Sequence, residues 1–451
     1  MIPKNKVYLD ALVEHTTDAL NKEGGGSGKF AIHPGQRRLL DAFINGERFM
    51  VWLAGRRCGK TTTVCMIAAY CLGHRGARIR VVAPQYRLCK KVWNPLVPML
   101  KQLYGKKTIS INKSDMLITT PWDASLELCT AENPDSMLGE GLDLVIVDEA
   151  ARIKPIVWQM YISPSIRDRK GSVIFISTPK GKNWLYDIYQ KGMNKIDGWW
   201  GQKSVSFENT AVWDEEEIES VKAHTDEMEF LQEYMAECIS FAGRVYPTFK
   251  EETHILQEIP EGIQITDESE NVGWEHYVSI DPGYANKLAM LWIAHHPVTG
   301  ESVIYKEVCK TRLEYPEIVQ AIKANEPLVG YKGFIVDIAG KGKDNSGLSF
   351  VDNIEQSDYF REKGYYFEFH RSIIEESLPT VRQALMNNNG EIKLFVMQYC
   401  PDVIKGFINY EYKDGSEDPR KDGVHDHPMD AIRYYIVHIQ ESSVVYGYTR
   451  L

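Results

Sequence analysis

Val51-Trp52-Leu53-Ala54-Gly55-Arg56-Arg57-Cys58-Gly59-Lys60-Thr61-Thr62 decides the reading of the first half of this chain. An apolar run feeds a basic, glycine-bearing turn ending in Gly-Lys-Thr, and the sequence continues apolar through Val64–Ala69. Buried strand, turn and helix N-terminus, in that order, make a phosphate-binding loop. Its backbone N–H groups and helix dipole face an anion, Lys60 reaches the β- and γ-phosphates, and the Thr61 hydroxyl, with Thr62 beside it, faces Mg²⁺. The pattern G-x-x-x-x-G-K-S/T has Ala54 at its first glycine position and Gly55 one residue later. Alanine resists positive φ, so the entry to the turn is expected to differ.

Around this loop, short apolar runs at 48–54, 79–83, 115–120, 125–130, 143–148 and 172–177 alternate with helical patterns, which predicts a mainly parallel α/β unit. One of these runs, Leu142–Val147, delivers Asp148-Glu149 at its end, where parallel sheets place ligand chemistry. Asp148 is expected to hold Mg²⁺ through water and Glu149 to polarise the attacking water. A third strand end, Ser177-Thr178-Pro179-Lys180-Gly181, presents hydroxyls that suit γ-phosphate sensing, and the upstream Gln36 offers an amide with both hydrogen-bonding roles that adenine requires. ATP is the expected ligand of this half.

A second constellation lies beyond residue 280. Asp281 ends the apolar run Tyr277–Ile280, Asp337 ends Phe334–Val336, and Asp430 opens a helical pattern in His425-Asp426-His427-Pro428-Met429-Asp430-Ala431. Each aspartate alone also reads as a turn former or a helix N-cap. Together they can hold two divalent ions, Mg²⁺ or Mn²⁺, that activate water and stabilise a leaving oxygen of a phosphodiester. Asp426 is a further candidate ligand. His425 and His427 read as ligands, partners of ligands or loop residues, and Glu307 is a weaker candidate than the aspartates.

Length and composition bound the rest. A chain of 451 residues predicts two or three domains, and 25% charged with 43% hydrophobic residues is the balance of a globular protein. No apolar run approaches the length of a membrane span. The eight cysteines are scattered without a C-x-x-C pair, which predicts reduced thiols. A net charge of −10 argues by itself against a nucleic-acid binder, although basic clusters occur at Arg75–Arg80, Arg87 with Lys90-Lys91, and Lys101–Lys107. Gly24–Gly28 reads as a flexible linker after a short N-terminal helix at 8–13, Glu215–Cys238 reads as helix, and the acidic stretch 258–275 reads as a domain boundary. The expected layout is an N-terminal segment with linker over 1–29, a P-loop ATPase domain with a helical subdomain over 30–260, and an α/β nuclease domain over 261–451.

Taken in order, the run Ala54–Thr61, Asp148-Glu149-Ala150-Ala151, Ser177–Gly181, Asp281-Pro282-Gly283, Asp337 and Met429–Tyr434 resembles the large terminase subunits of tailed bacteriophages, over roughly residues 30 to 440. The resemblance implies a RecA-like ATPase domain followed by an RNase H-like nuclease domain. It implies that Lys60, Thr61, Asp148 and Glu149 work on ATP, that Arg56 or Arg57 contacts phosphate beside Gly59, and that Asp281, Asp337 and Asp430 bind catalytic metals. It further implies packaging of double-stranded DNA into a procapsid with cleavage of concatemers, the portal protein and the small terminase subunit as partners, a homo-oligomeric ring on the procapsid, no membrane, and action in the host cytoplasm. The competing reading is a helicase-like DNA translocase without nuclease activity, which would need no separate metal-spaced aspartates.

Overall fold

The computed structural model describes residues 2–23, 31–239, 243–263, 273–283, 287–338, 342, 347–370, 372–413 and 417–447. The Gly24–Gly28 linker lies outside them. Two compact units share the chain: one of residues 1–220 and 228–240, the other of 221–227 and 241–451. The division thus falls ahead of the boundary at 260 that composition suggests, and a short segment before it belongs with the second unit.

The first unit is built on an eight-stranded sheet of β1 (Phe49–Ala54), β2 (Arg78–Ala83), β3 (Ser110–Asn112), β4 (Leu117–Thr119), β5 (Ser125–Thr130), β6 (Leu144–Asp148), β7 (Ser172–Ser177) and β8 (Trp199–Ser204). Their order is β3-β4-β5-β2-β6-β7-β1-β8, parallel apart from the β3 and β4 pairings. β1 is buried on both faces, so it reads as a continuous apolar run. Met50, Trp52 and Ala54 enter one core, and Val51 and Leu53 enter the other. β7 lies between the loop-bearing β1 and the Asp148-bearing β6, which is the additional-strand, RecA-like arrangement. The edge strand β8 has no counterpart among the expected strands, because Trp199-Trp-Gly-Gln-Lys-Ser204 lacks a sustained apolar pattern.

Four helices matter here: α1 (Lys6–Glu23), α2 (Pro34–Ile44), α3 (Lys60–Leu72) and α4 (Tyr86–Tyr104). α3 is apolar around most of its circumference and buried accordingly. α1 is longer than the expected helix at 8–13, and it is no separate appendage. Leu9, Leu12 and Val13 are part of the same core as α3, and the Tyr70 hydroxyl of α3 donates to Pro3 O (2.7 Å) while accepting from Asn5 N (2.8 Å). The expected continuous helix at 215–238 is broken into Glu215–Ala223, Glu227–Glu229 and a π-helical turn at Phe230–Tyr234.

The second unit carries β9 (Ile255–Leu256), β10 (Glu275–Asp281), β11 (Leu288–His295), β12 (Ser302–Lys310), β13 (Gly333–Asp337), β14 (Phe367–His370) and β15 (Leu394–Met397), ordered β14-β13-β10-β11-β12-β15-β9. β10, β11 and β12 form an antiparallel meander, and β13 pairs parallel with β10. This is the RNase H-like arrangement. The last helix, Asp426–Gly447, packs on β10, β11 and β13 through Ala431, Ile432 and Tyr435.

Residues 221–227 are anchored in this unit by a buried ion pair, Arg382 Nε to Asp226 Oδ1 at 3.0 Å, with Arg382 also donating to the Tyr412 hydroxyl. Asn387 and Asn388 donate to Ala223 O and Thr225 O. Removing one partner of such a pair strands the other charge. Arg382→Ala is therefore expected to cost about 3–5 kcal/mol, read as a shift in the urea transition of this unit; a loss under about 1 kcal/mol would show the pair to be dispensable.

Candidate functional sites

In the first unit the structure brings β1, β6 and β7 together at their C-terminal ends. Ala54 is still strand, and the left-handed positions of the turn are Arg57 (φ 55°) and Gly59 (φ 76°). The off-pattern alanine therefore occupies a place with no need of positive φ. Gly55 is required for a different reason: a Cβ there would collide with Ser206 Oγ and Tyr234 O. The loop is braced from behind, by Gly55 N to Ser204 O (3.0 Å), Arg56 N to Glu233 O (2.7 Å), Ser206 Oγ to Arg56 O (2.7 Å) and Asn209 Nδ2 to Arg57 O (2.8 Å).

Lys60 is buried at the start of α3 and donates to Ala54 O (2.7 Å) and Gly55 O (3.0 Å). Burial pushes its pKa down, opposed first by the charge of Glu149. Thr61 and Thr62 follow, half-buried, on the first turn. Asp148 accepts from Glu149 N (3.0 Å), and burial together with the neighbouring Glu149 pushes its carboxyl up to about 7. Glu149 takes a left-handed conformation (φ 48°) that turns it towards β7, where the Thr178 hydroxyl donates to it at 3.4 Å. Ser177 Oγ donates to Thr178 O and accepts from Ala151 N, so the β6 and β7 ends form one hydrogen-bonded unit.

Two expectations shift. Gln36 does not present its amide to an open pocket. It caps α2 through His33 N (3.3 Å), and its Nε2 donates to Gly59 O (3.3 Å) and Thr63 Oγ1 (3.0 Å), which makes it a brace of the loop. The open space lies beside it, a cavity of about 530 Å³ lined by Ala31–Pro34 and Phe207–Ala211. Arg56, expected at phosphate, is paired with Glu233 (2.8 Å), which also lies 3.7 Å from Lys180. Glu233 is invisible to motif reading, since the helical pattern of 215–238 says nothing of a partner for it; Arg57 is exposed.

Asp148 carries a pH consequence. Its carboxyl is protonated in the folded chain up to about pH 7 but ionised above its ordinary 3.8 in the unfolded chain. The stability it contributes is present below that ordinary value and is lost as pH rises towards 7. A carboxylate must be ionised to take magnesium. Binding of Mg²⁺-nucleotide is therefore expected to strengthen by about tenfold per pH unit on the acid side of 7 and to release a proton. Titration calorimetry in buffers of different ionisation enthalpy reads that proton; Asp148→Asn should remove it, and proton release unchanged in the variant would refute the assignment.

In the second unit, β10 and β13 run parallel with Ile280 opposite Val336, so Asp281 and Asp337 leave adjacent strands side by side. Asp426 opens the last helix and Asp430 follows one turn later on the same face. All four aspartates line one cleft of about 690 Å³ with His427, Lys421 and Arg433. Asp281 accepts from the Tyr434 hydroxyl (2.9 Å) and pairs with His427 Nδ1 (2.7 Å). Burial and Asp430 push its carboxyl up, and the bond to Asp281 pushes the His427 imidazole up. Asp430 is held by Arg433 (2.6 Å) and Lys421 (3.2 Å), and Arg433 is in turn fixed by Ser372 and Ser377.

The residues fit a divalent cation. Asp426 Oδ1 and His427 Nε2 are buried without a hydrogen-bond partner, and buried polar atoms are rarely left so. A set of carboxylate oxygens with one imidazole suits Mg²⁺ or Mn²⁺. Glu307 does not join this set: its carboxylate accepts from Asp402 N (2.8 Å) and Val403 N (2.9 Å), capping the helix Pro401–Asn409. Lys421 lies outside the motifs; Arg433 and Tyr434 lie within the run Met429–Tyr434, but the sequence assigns them no role, and only their helical spacing from Asp430 could have flagged one.

Comparison with known proteins gives one consistent result. A family model described as terminase large subunit, T4likevirus-type, N-terminal, matches residues 51–253. The chain is 25% identical over 402 residues to the terminase large subunit of Escherichia phage T5, covering 87% of each. It is 27% identical over 229 residues to that of Thermus phage G20c, covering 43% of this chain and 46% of that one. In fold it is similar to the large terminase of a thermophilic bacteriophage, with a TM-score of 0.61 at 15% identity over 91% of this chain and 100% of that one. That thermophilic protein has also been solved in complex with ADP and with ATP-γ-S. The resemblance to phage large terminase subunits that the motifs carry is thus present in sequence and in fold.

Proposed function

We propose that this chain, a relative of phage large terminase subunits, is the motor and nuclease of a viral DNA-packaging machine. The observation that carries the reading is the presence of two built sites in one chain, a phosphate loop facing Asp148-Glu149 and a cleft lined by Asp281, Asp337, Asp426 and Asp430. ATP hydrolysis in the first unit drives double-stranded DNA into a procapsid, and the second unit cuts concatemeric DNA by two-metal hydrolysis.

In the first unit Lys60 and the loop N–H groups bind the phosphates, Thr61 and Asp148 would hold Mg²⁺, and Glu149 orients the attacking water. The cavity beside Gln36 accommodates the base. Glu149 bonds to Thr178, so a change in what Glu149 faces is felt directly at the end of β7. In the second unit Asp281, Asp337, Asp430 and Asp426 would hold the metal ions, which supply an activated water and charge stabilisation at phosphorus. His427 and Tyr434 fix the orientation of Asp281, while Arg433 fixes Asp430. The portal protein and the small terminase subunit are the proposed partners, a ring on the procapsid the working state, and the host cytoplasm the place of action. No helix among the described residues is long and apolar enough to cross a membrane.

The test is a pair of assays on the purified chain: ATP hydrolysis with and without linear duplex DNA, and cleavage of supercoiled plasmid with Mn²⁺. Stimulation by DNA together with cleavage is the expected result. Stimulation without cleavage would favour a helicase-like translocase, a reading the aspartate-lined cleft disfavours. Failure of both would sink the proposal.

A further inference from the structure

We infer that the solvent face of α4 is a grip for the backbone of duplex DNA, attached directly to the nucleotide site. The inference rests on the packaging-motor reading and adds to it a surface which that reading does not specify. Tyr86, Arg87, Lys90, Lys91 and Asn94 are all exposed, and Tyr86 retains 47% of its surface. Arg87, Lys91 and Asn94 follow the i, i+4, i+7 spacing of one helical stripe, roughly 10 Å long, with Lys90 beside them. The opposite face, Cys89, Val92, Trp93, Leu96 and Leu100, is buried.

Among the described residues, none of these three cations has a carboxylate within ion-pairing distance. Of the unit's other arginines, Arg37, Arg38, Arg78 and Arg80 are paired with Asp10, Glu208, Glu140 and Glu127, whereas Arg57, Arg75, Arg152 and Arg167 have no carboxylate within ion-pairing distance among the described residues. Three unpaired cations gathered on one helical face complement a polyanion. Lys90 Nζ stands 5.0 Å over the Tyr86 ring, which holds the two side chains in one arrangement. Duplex DNA offers one charge per about 1.7 Å of axis and binds such a face without regard to sequence. A motor that moves DNA of any sequence needs that property.

The position of α4 supplies the coupling. β2 runs parallel to β6 with Val82 opposite Val147, so the chain leaves β2 beside Asp148 and enters α4 three residues later. α4 is also tied to α3, the helix that starts with Lys60, by Tyr104 OH to Ala69 O (2.6 Å) and by Cys65 Sγ to Val92 O (3.8 Å). The face is therefore fixed to both walls of the nucleotide site. A rearrangement at Asp148-Glu149 reaches it through β2, and one at the loop reaches it through α3.

The test uses the full chain with the double variant Arg87→Glu/Lys90→Glu and a linear duplex of mixed sequence. The DNA-stimulated part of ATP hydrolysis is expected to fall by about tenfold or more, and the salt slope of duplex binding by about 2, one for each phosphate no longer neutralised. Basal ATP hydrolysis and Mn²⁺-dependent plasmid cleavage stay within about twofold of the parent, as suits surface residues outside both sites. DNA stimulation and salt slope equal to the parent's would overturn the assignment to α4. A parent protein with no DNA stimulation at all would instead overturn the motor reading beneath it. If the double variant loses basal activity as well, Arg87→Gln/Lys90→Gln, which removes charge without reversing it, is measured in its place; an unchanged salt slope there counts against the grip.

Discussion

Lys60→Ala is expected to lower ATP turnover by about a thousandfold while leaving Mn²⁺-dependent plasmid cleavage intact. The ammonium is the one side-chain cation buried inside the phosphate loop, and preorganised charge in a water-poor site is worth about two to three orders of magnitude in rate. Two further effects follow from its hydrogen bonds and its charge. Ala54 O and Gly55 O lose their shared donor, which loosens the turn by about 1–3 kcal/mol. Asp148 also loses a positive neighbour that holds its pKa down, so the carboxyl keeps its proton to higher pH. The residual magnesium-nucleotide binding of the variant should then shift its pH dependence upwards from 7. Phosphate release measured across pH, beside plasmid cleavage on the same preparation, checks both statements. ATPase activity at the parental level would end the phosphate-loop reading.

What can be read in advance follows from how local each signal is. β1 and β6 are buried on both faces, so their apolar runs stand out, and the residues at their ends inherit a known place in a parallel sheet. Lys60, Asp148, Glu149 and Thr178 are legible for that reason. β8 is not, because an edge strand gains its position from backbone pairing with β1 rather than from side chains. The first unit's claim on α1 is also hidden. The glycine-rich stretch after it reads as separation, yet three buried apolar residues on one face of α1 complete the core around α3. Composition likewise does not locate the division near 240, since an acidic run marks a surface segment without saying which unit it follows.

The sites show the same division between local and distant signals. Gln36 lies at the nucleotide end of the unit, but its partners differ from those expected, because an amide's two roles suit a backbone carbonyl and a threonine hydroxyl as well as a base. Glu233 meets Arg56 across 177 residues of chain, and no spacing rule spans that distance. The aspartates are legible only as a set. What the sequence conceals is their mutual restraint: Asp281 is held by two groups from the last helix, and Asp430 by two cations, one of them from the loop before it. Such partners decide whether a cluster of acids can stay ionised at close quarters, and they are visible only once the strands and the helix are brought together.

That restraint leads to the second large effect. Asp281→Asn is expected to reduce plasmid cleavage by about a thousandfold and leave ATP hydrolysis unchanged, because an amide supplies no charge to share between two metal ions. It should not destabilise the fold. Burial and the charge of Asp430 raise the Asp281 carboxyl above its ordinary value, so its ionised form is less favourable in the folded protein than in the unfolded chain. The stability it contributes is present below the ordinary value of 3.8 and lost as pH rises through the raised one. At neutral pH a neutral, isosteric amide relieves that penalty, while its carbonyl still accepts from His427 or Tyr434. Melting in chelator at pH 7 should therefore show the variant at least as stable as the parent, the pattern of a residue kept for function at a cost to the fold. Adding Mn²⁺ should raise the parent's melting temperature through preferential binding to the folded state and leave the variant's in place. Equal stabilisation of both by Mn²⁺ would remove Asp281 from the metal site, and cleavage at the parental rate would remove it from the reaction.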